Sequence, residues 1–378
     1  MRIGFDAKRI YHNTTGLGNY SRTLVNSLAE SFPDHQYYLY NPKPSRLYTP
    51  EKDMIHEVGP TRSFDKIFSG LWRSRNMVRD MQGQLDLFHG LSNELPLGID
   101  KSGIPSVVTI HDLIYERYPE QYAKADRKIY SRKVKKACEV AHKVLATSEI
   151  TKNDLISFYQ VPETKIQVHH QSCHPRFYNV VPQTLRQILR SRYKVPENFI
   201  LYVGSIIERK NLLSLVKAFQ VLNNRDIQVL VIGRGDLYEK KVWSYILRND
   251  LSYYFVRMND RWSYRDLEDM MPALYQMAKC LVYPSHYEGY GIPVLEAHAS
   301  GCPVLTTAGS SMAEIAGDAA LYFNSESPEE IAAQIQRVLT DHPLRLNLIQ
   351  KGKTRAQALN RFSTAQKMMD IYREITGL

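Results

Sequence analysis

Short apolar runs, separated by longer stretches with helical spacing, recur along the whole chain. In the first half RIGFDA, QYYLYN, LDLFHG, SVVTIH, KVLATS and KIQVHH read as strands. In the second half FILYVG, IQVLVIG, YYFVRM, CLVYPS, PVLTT and ALYFN repeat the pattern. Apolar runs bounded by turn residues mark strands buried on both faces. Their alternation with helices predicts an α/β protein with largely parallel sheets covered on both sides.

At 378 residues the chain exceeds the usual single-domain range, so two domains are expected. The stretch HHQSCHPRFYNVVP, residues 169–182, carries two prolines and no clear period, and strand-helix units begin afresh after it. It is the natural connection, and the two halves resemble each other in pattern as two doubly wound domains do. With 43% hydrophobic residues the chain has ample core. No apolar run reaches the ~18 residues that span a bilayer. The start, MRIGFDAKRI, reads as a strand and has no signal-peptide organisation. Cys138, Cys173, Cys280 and Cys302 lie far apart without metal-type spacing, which points to a reducing cytoplasm.

The formal charge of +10 changes the picture, because basic surfaces attract nucleic acid, anionic lipid or phosphorylated ligands. The densest cluster, KADRKIYSRKVKKACEVAHK at 124–143, suits a helix with Ile129, Val134, Ala137 and Val140 turned inward. RSFDKIFSGLWRSRNMVRD combines Phe64, Ile67, Phe68, Leu71 and Trp72 with basic residues. That mixture fits an interfacial helix, and it fits an amphipathic core-facing helix equally.

In doubly wound sheets ligands sit at the carboxyl ends of strands, near helix N-termini. The polar residues of interest fall there: Gly16 and Gly18 after the first strand, His111 and Asp112 after SVVTI, Ser205, Glu208, Arg209, Lys210 and Asn211 after FILYVG. The Gly16–Gly18 pair alone is a weak phosphate signal, since tight turns want glycine in any case. Ser21 and Asn41 stand where a dinucleotide site wants a third glycine and an acid, which argues against NAD. A histidine at a strand end such as His111 is, in isolation, more often structural than catalytic. Two cations opening a helix, Arg209 and Lys210, oppose the helix dipole and point to a bound polyanion. The most specific stretch is HYEGYGIPVLEAHASGCPVLTT, residues 286–307. Pro293 suits the start of a helix, with Glu296 on its first turn, and Gly301 and Pro303 suit its stop. Gly289 and Gly291 precede that helix in a turn suited to phosphate or sugar oxygens. Glu288 and Glu296 flank the turn as acceptors for two diols on either side of one diphosphate.

On these residues the chain resembles the retaining glycosyltransferases of family four, which have the GT-B fold. The resemblance spans nearly the whole chain through GLGNY, TIHDLIYERYP, ILYVGSIIERKNLLSLVKAF, YPSHYEGYGIPVLEAHASGCPVLTT and SSMAEIAGDAALYFN. It implies two Rossmann-like domains facing across a cleft: an acceptor domain at 1–172, joined by a returning C-terminal helix at about 361–378, and a sugar-nucleotide domain at 173–360. Glu296 would hold the ribose. Glu288 would hold the donor sugar with the Gly289, Tyr290, Gly291 and Ile292 backbone. Arg209 and Lys210 would neutralise the departing diphosphate in place of a metal, and the chain contains no Asp-x-Asp motif. Gly18 would approach the phosphates, and His111 would sit close to the reacting sugar carbon.

Two departures stand out. Ser205 takes a place where many relatives carry arginine, and the stretch with Arg257 and Met258, which commonly touches the base, lacks the usual glycine. The ERKN form resembles mannosyltransferases of bacterial surface polysaccharide and lipopolysaccharide synthesis. It implies GDP-mannose as donor, a UDP-sugar being the alternative, with no metal and no other cofactor. The implied partners are a glycan or lipid-linked acceptor and an anionic membrane surface rather than nucleic acid, with a cytoplasmic, peripheral location at the inner face of the cell membrane. A nucleotide-sugar epimerase or phosphorylase of the same architecture, and a non-catalytic nucleotide- or lipid-binding module, are the rival classes. The phosphorylase would need a lysine-bound pyridoxal phosphate, for which the sequence carries no signal.

Overall fold

The computed structural model describes residues 1–258 and 264–378, with side chains given outside 259–268. Two compact units result, one of Met1–His174 with Leu359–Leu378, the other of Pro175–Ala358.

The first unit holds β1 (Arg2–Asp6), β2 (Gln36–Tyr40), β3 (Ile55–Val58), β4 (Leu87–Gly90), β5 (Ser106–Ile110), β6 (Lys143–Ala146) and β7 (Ile166–Val168). They pair in the order β3-β2-β1-β4-β5-β6-β7, all parallel. Central strands such as β5 are buried along their whole length, as continuous apolar runs require. β3 is not predicted by the apolar pattern. It is an edge strand with only Ile55 buried, so it needs few apolar residues.

On one face the helices Gly16–Ser31 and Arg361–Thr376 bury Leu24, Val25, Leu28, Met368, Met369 and Tyr372 against Ile3 and Phe5. The C-terminal helix is thus part of the first unit's core. Two buried histidines tie it down. His89 on β4 meets the Tyr372 hydroxyl at 2.6 Å through Nδ1 and the Thr109 hydroxyl at 2.8 Å through Nε2. His169 donates from Nε2 to the Thr364 carbonyl at 3.0 Å.

On the other face the helix Lys124–Val140 buries Val134, Ala137 and Cys138, whereas Ile129 is 51% exposed. The expected inward stripe therefore covers only the C-terminal half of this helix. The segment after Arg62 is not one amphipathic helix but a series: Ser63–Ile67, Ser69–Leu71, a π-helical turn Trp72–Asn76, then Met77–Met81. Trp72 enters the core, while Phe64, Ile67, Phe68 and Leu71 remain 56%, 74%, 52% and 43% exposed. The core-facing reading of those four residues is thereby corrected.

The second unit holds β8 (Phe199–Val203), β9 (Gln228–Ile232), β10 (Phe255–Arg257), β11 (Leu281–Tyr283), β12 (Val304–Thr307) and β13 (Ala320–Phe323). Their order is β10-β9-β8-β11-β12-β13, again parallel. Ile200, Tyr202, Val229 and Val231 pack with Leu215 and Phe219 of the helix Leu212–Leu222 to form its core. In each sheet the winding direction reverses once, between β1 and β4 and between β8 and β11. Such switch points open crevices at the carboxyl ends of strands, which is where doubly wound sheets bind ligands. Among the described residues no helix is long and apolar enough to cross a membrane, and all four cysteines are buried.

The buried histidines make stability depend on pH. Burial, with the nearby charges of His169 and His111, lowers His89 to about 3, and burial lowers His169 and His298 to about 4. An unfolded histidine titrates near 6.5. Between that value and the folded ones the unfolded chain binds more protons, so stability is complete above pH 6.5 and is lost as pH falls toward 4. Melting at pH 5 should come several degrees below melting at pH 7. Equal melting temperatures at the two pH values would contradict this account.

Candidate active site

The second unit's switch point gathers three charged side chains that are distant in sequence. Residues Glu208–Lys210 form a single 3₁₀ turn after β8, and Asn211, with φ 52°, turns the chain into the helix Leu212–Leu222. The expected helix opening at this motif is therefore a tight turn, followed by the helix. Gly204 has φ +140°, and a Cβ there would come 3.0 Å from Lys210 Cδ. Its glycine lets the lysine stem lie across the strand end. Lys210 Nζ then donates to Glu288 Oε1 at 2.8 Å and to the Tyr283 hydroxyl at 2.7 Å. Arg209 is 7% exposed, lies 3.2 Å from Glu288 Oε1, and donates to the Tyr287 carbonyl.

Glu288 is buried between them. Burial alone would raise its carboxyl, but Lys210 and then Arg209 outweigh burial and hold it down at about 2. The Tyr283 hydroxyl donates to the same oxygen at 3.1 Å, and burial pushes that phenol well above its ordinary range. Two largely buried cations thus converge on one carboxylate at a strand end, an arrangement suited to receiving an anion.

The turn after Glu288 is built to hold still. Gly291 has φ +102° and caps the helix Ile292–Ala299 with Pro293 in its first turn. Ser311 donates to the Glu288 carbonyl at 2.7 Å. Gly289 and Tyr290 are buried in this turn, and Ile292 opens the helix. Glu296 is the fifth residue of that helix, so it stands on the second turn rather than the first. Its Oε2 accepts from the Tyr275 hydroxyl at 2.9 Å, and the residue remains half-buried rather than sealed. Ser205 is exposed at the end of β8.

Arg257 and Met258 end β10. Met258 is fully buried, which makes it a packing residue here. Arg257 is held by Glu239 at 2.7 Å and lies over the Trp243 ring. Residues 259–263 of the same stretch lie outside the described residues. The sequence reading missed Glu239, whose other oxygen accepts the Gly235 N–H at 2.6 Å. It also missed Tyr283, Tyr275 and the close approach of β9's turn to β8, where a Cβ on Gly233 would stand 1.7 Å from the Gly204 carbonyl oxygen. The tyrosines hide inside apolar runs; the Gly-Arg-Gly of 233–235 directly after a strand was the available signal.

Gly18 and His111 belong to the first unit. Gly18 sits in the first turn of its helix, its N–H donates to Asn13 Oδ1 at 2.9 Å, and a Cβ there would meet the Asn13 carbonyl oxygen at 1.9 Å. Its glycine is thus explained locally. His111 donates from Nε2 to the Leu91 carbonyl at 2.8 Å, and its Nδ1 accepts from Gln171 at 3.0 Å. Burial lowers it to about 4, the Leu91 hydrogen bond opposing that shift.

The family described as Glycosyl transferases group 1 matches residues 186–355, and that described as Glycosyltransferase Family 4 matches residues 14–172. The O-antigen chain mannosyltransferase B of Escherichia coli is 23% identical over 393 residues, covering 99% of this chain and 100% of that protein. The serotype-specific mannosyltransferase WbdA of the same organism is 26% identical over 272 residues, covering 70% of this chain but only 33% of its own length. Among solved structures, Anabaena HepE in complex with UDP and glucose superposes with a TM-score of 0.73 at 15% identity, covering 99% of this chain and 100% of that one.

Removing one partner from a buried ion pair costs about 3–5 kcal/mol because it strands the other charge. Glu288→Gln should therefore lower the melting temperature of the second unit, and inorganic pyrophosphate should raise it more in the variant than in the parent. A variant that melts like the parent and ignores pyrophosphate would show that Glu288 does not compensate these cations.

Proposed function

We propose, for a chain that belongs to the family-four glycosyltransferases and has the GT-B fold, that it transfers mannose from GDP-mannose to a glycan or lipid-linked acceptor with retention of anomeric configuration. The observation that carries this reading is the Arg209–Lys210–Glu288 cluster at the β8–β11 switch point, beside the glycine turn 289–291. In the proposed reaction the bond between the anomeric carbon and the diphosphate oxygen breaks, and the acceptor oxygen bonds to that carbon on the same face. The departing diphosphate takes the acceptor's proton. Arg209 and Lys210 stabilise the growing charge, and removing one such preorganised donor costs on the order of 10²–10³ in rate. Two fixed cations supply what a divalent metal supplies elsewhere, so no metal is needed.

The mannosyl donor rests on the ERKN form and on relatives that are mannosyltransferases of O-antigen chains. The same relatives support a role in bacterial surface polysaccharide synthesis. HepE, solved with UDP and glucose, supports a UDP-sugar as the second reading. Glu296 binds ribose in this scheme, and Glu288 meets the sugar where charge develops.

Transfer from radiolabelled GDP-mannose in EDTA, with melting measured beside GDP and UDP, tests the donor. GDP should protect more, since a ligand at 100 times its Kd adds about 2.7 kcal/mol. Stronger protection by UDP overturns the choice of base, and loss of transfer in EDTA overturns metal independence. Glu296→Gln should raise the donor KM and weaken GDP binding. Glu288→Gln should lower kcat while GDP affinity holds or tightens. Near-normal transfer by Glu288→Gln would end the donor-site reading.

Peripheral attachment to the inner face of the cell membrane is part of the proposal. Exposed Phe64, Ile67, Phe68 and Leu71 beside Arg62, Lys66 and Arg75 make a surface that combines acyl-chain contact with attraction to anionic headgroups. The protein should pellet with phosphatidylglycerol vesicles at low salt and lose this on Ile67→Glu. Absence of pelleting at low ionic strength would sink the idea.

A further inference from the structure

The helix Lys124–Val140 carries its cations in two sets that the structure treats differently. Lys133 and Lys136 point to carboxylates, Glu94 at 3.4 Å and Glu139 at 3.6 Å. Lys124, Lys128, Arg132 and Lys135 line an open groove of about 790 Å³ between this helix and the turn Pro119–Gln121. Among the described residues none of these four has a carboxylate partner within ion-pair distance. Their spacing of three and four residues makes them neighbours on one helix face, where like charges destabilise the helix.

The acids in the groove do not relieve them. Glu116 accepts Arg127 at 2.9 Å and 3.2 Å through Oε2 and the Tyr159 hydroxyl at 2.8 Å through Oε1. Tyr159 is buried and Glu116 is 9% exposed, so this floor is fixed and its charge is spent on Arg127. That leaves Glu120 at the rim against four cations. Four cations against one free acid carry more positive charge than a single carboxylate can balance, which suits a ligand with two or more phosphates.

The lining also separates this groove from a membrane-inserting surface. Pro119 is the one apolar residue of its lining, and the exposed Ile129 and Tyr130 of the same helix lie outside that lining. We infer that the groove is a second anion site, carried by the first unit, for a ligand bearing two or more adjacent phosphates. It is independent of the donor diphosphate, which the proposed function assigns to Arg209 and Lys210 in the second unit.

Inorganic pyrophosphate is the probe, titrated calorimetrically into the full chain at low salt. The parent should show two classes of site. Lys128→Glu/Arg132→Glu should weaken one class at least tenfold and leave the other, whereas Lys210→Gln should do the converse; circular dichroism checks that each variant folds, and Lys128→Gln/Arg132→Gln replaces a charge-reversed variant that does not. A single class abolished by Lys210→Gln, or pyrophosphate binding unchanged by both groove variants, overturns the inference without touching the donor site. So does a groove variant that loses phosphatidylglycerol vesicles but keeps both pyrophosphate classes, which would make the groove a headgroup-contact surface. A parent that shows only the groove class, with no class sensitive to Lys210→Gln, would instead count against the donor reading.

Discussion

One carboxylate, Glu288, allows two cations to be buried at the end of a parallel sheet. Arg209 and Lys210 are adjacent in sequence, and their side chains are only 8% and 13% exposed. Desolvating two like charges side by side is prohibitive without compensation. Glu288 supplies it from 78 residues away, with Tyr283 as a shared neutral partner. The geometry around it follows from that demand. Gly204 has φ +140°, a conformation that favours glycine, and the Lys210 stem lies close against it, while Gly291 must turn left-handed to bring the Glu288 loop back into its helix. The Arg209 carbonyl in turn accepts the His286 N–H at 2.9 Å, which locks the two loops together.

That cluster sits where the sheet topology offers a crevice. β8 and β11 are neighbours whose following helices run to opposite faces, so their two turns diverge and leave space between them. Glu288 is shared there between two cations. An anionic ligand entering the crevice meets these cations already in place. In the proposed mechanism this ties the packing of the second unit to the electrostatic stabilisation of a departing diphosphate.

The expected strands were legible because continuous apolar runs bounded by turn residues have few alternatives in an α/β chain. β3 was not, since an edge strand with one buried residue carries little pattern. The charged members of the site, Arg209, Lys210, Glu288 and Glu296, were legible because they interrupt apolar runs at strand ends. Their pairing was not, because spacing along the chain does not reveal that a lysine and a glutamate from different loops share one burial site. Tyr283 and Tyr275 were invisible for the opposite reason: as aromatic residues in apolar runs they read as core, and their hydroxyls matter only once Glu288 and Glu296 are placed. The segment at 62–79 was ambiguous in sequence because amphipathicity does not say which face meets the core. The π-helical turn at Trp72–Asn76 decides it by sending Trp72 inward and leaving the preceding apolar residues outside.

His111 shows how a residue at a strand end can lack the chemistry a histidine suggests. Its Nε2–H is given to the Leu91 carbonyl and its Nδ1 lone pair is taken by Gln171. The Tyr20 ring packs edge-on against it at 4.9 Å, and its own carbonyl accepts the Thr147 hydroxyl at 2.8 Å. With burial holding it at about 4, the imidazole is neutral near pH 7. Accepting a proton would mean losing the Gln171 hydrogen bond and charging a buried ring, both unfavourable. His111 is therefore a rigid, neutral surface rather than a base. A transfer reaction on this scaffold has to find its proton acceptor elsewhere, and in the proposed mechanism that acceptor is the diphosphate that the Arg209–Lys210 pair is built to receive.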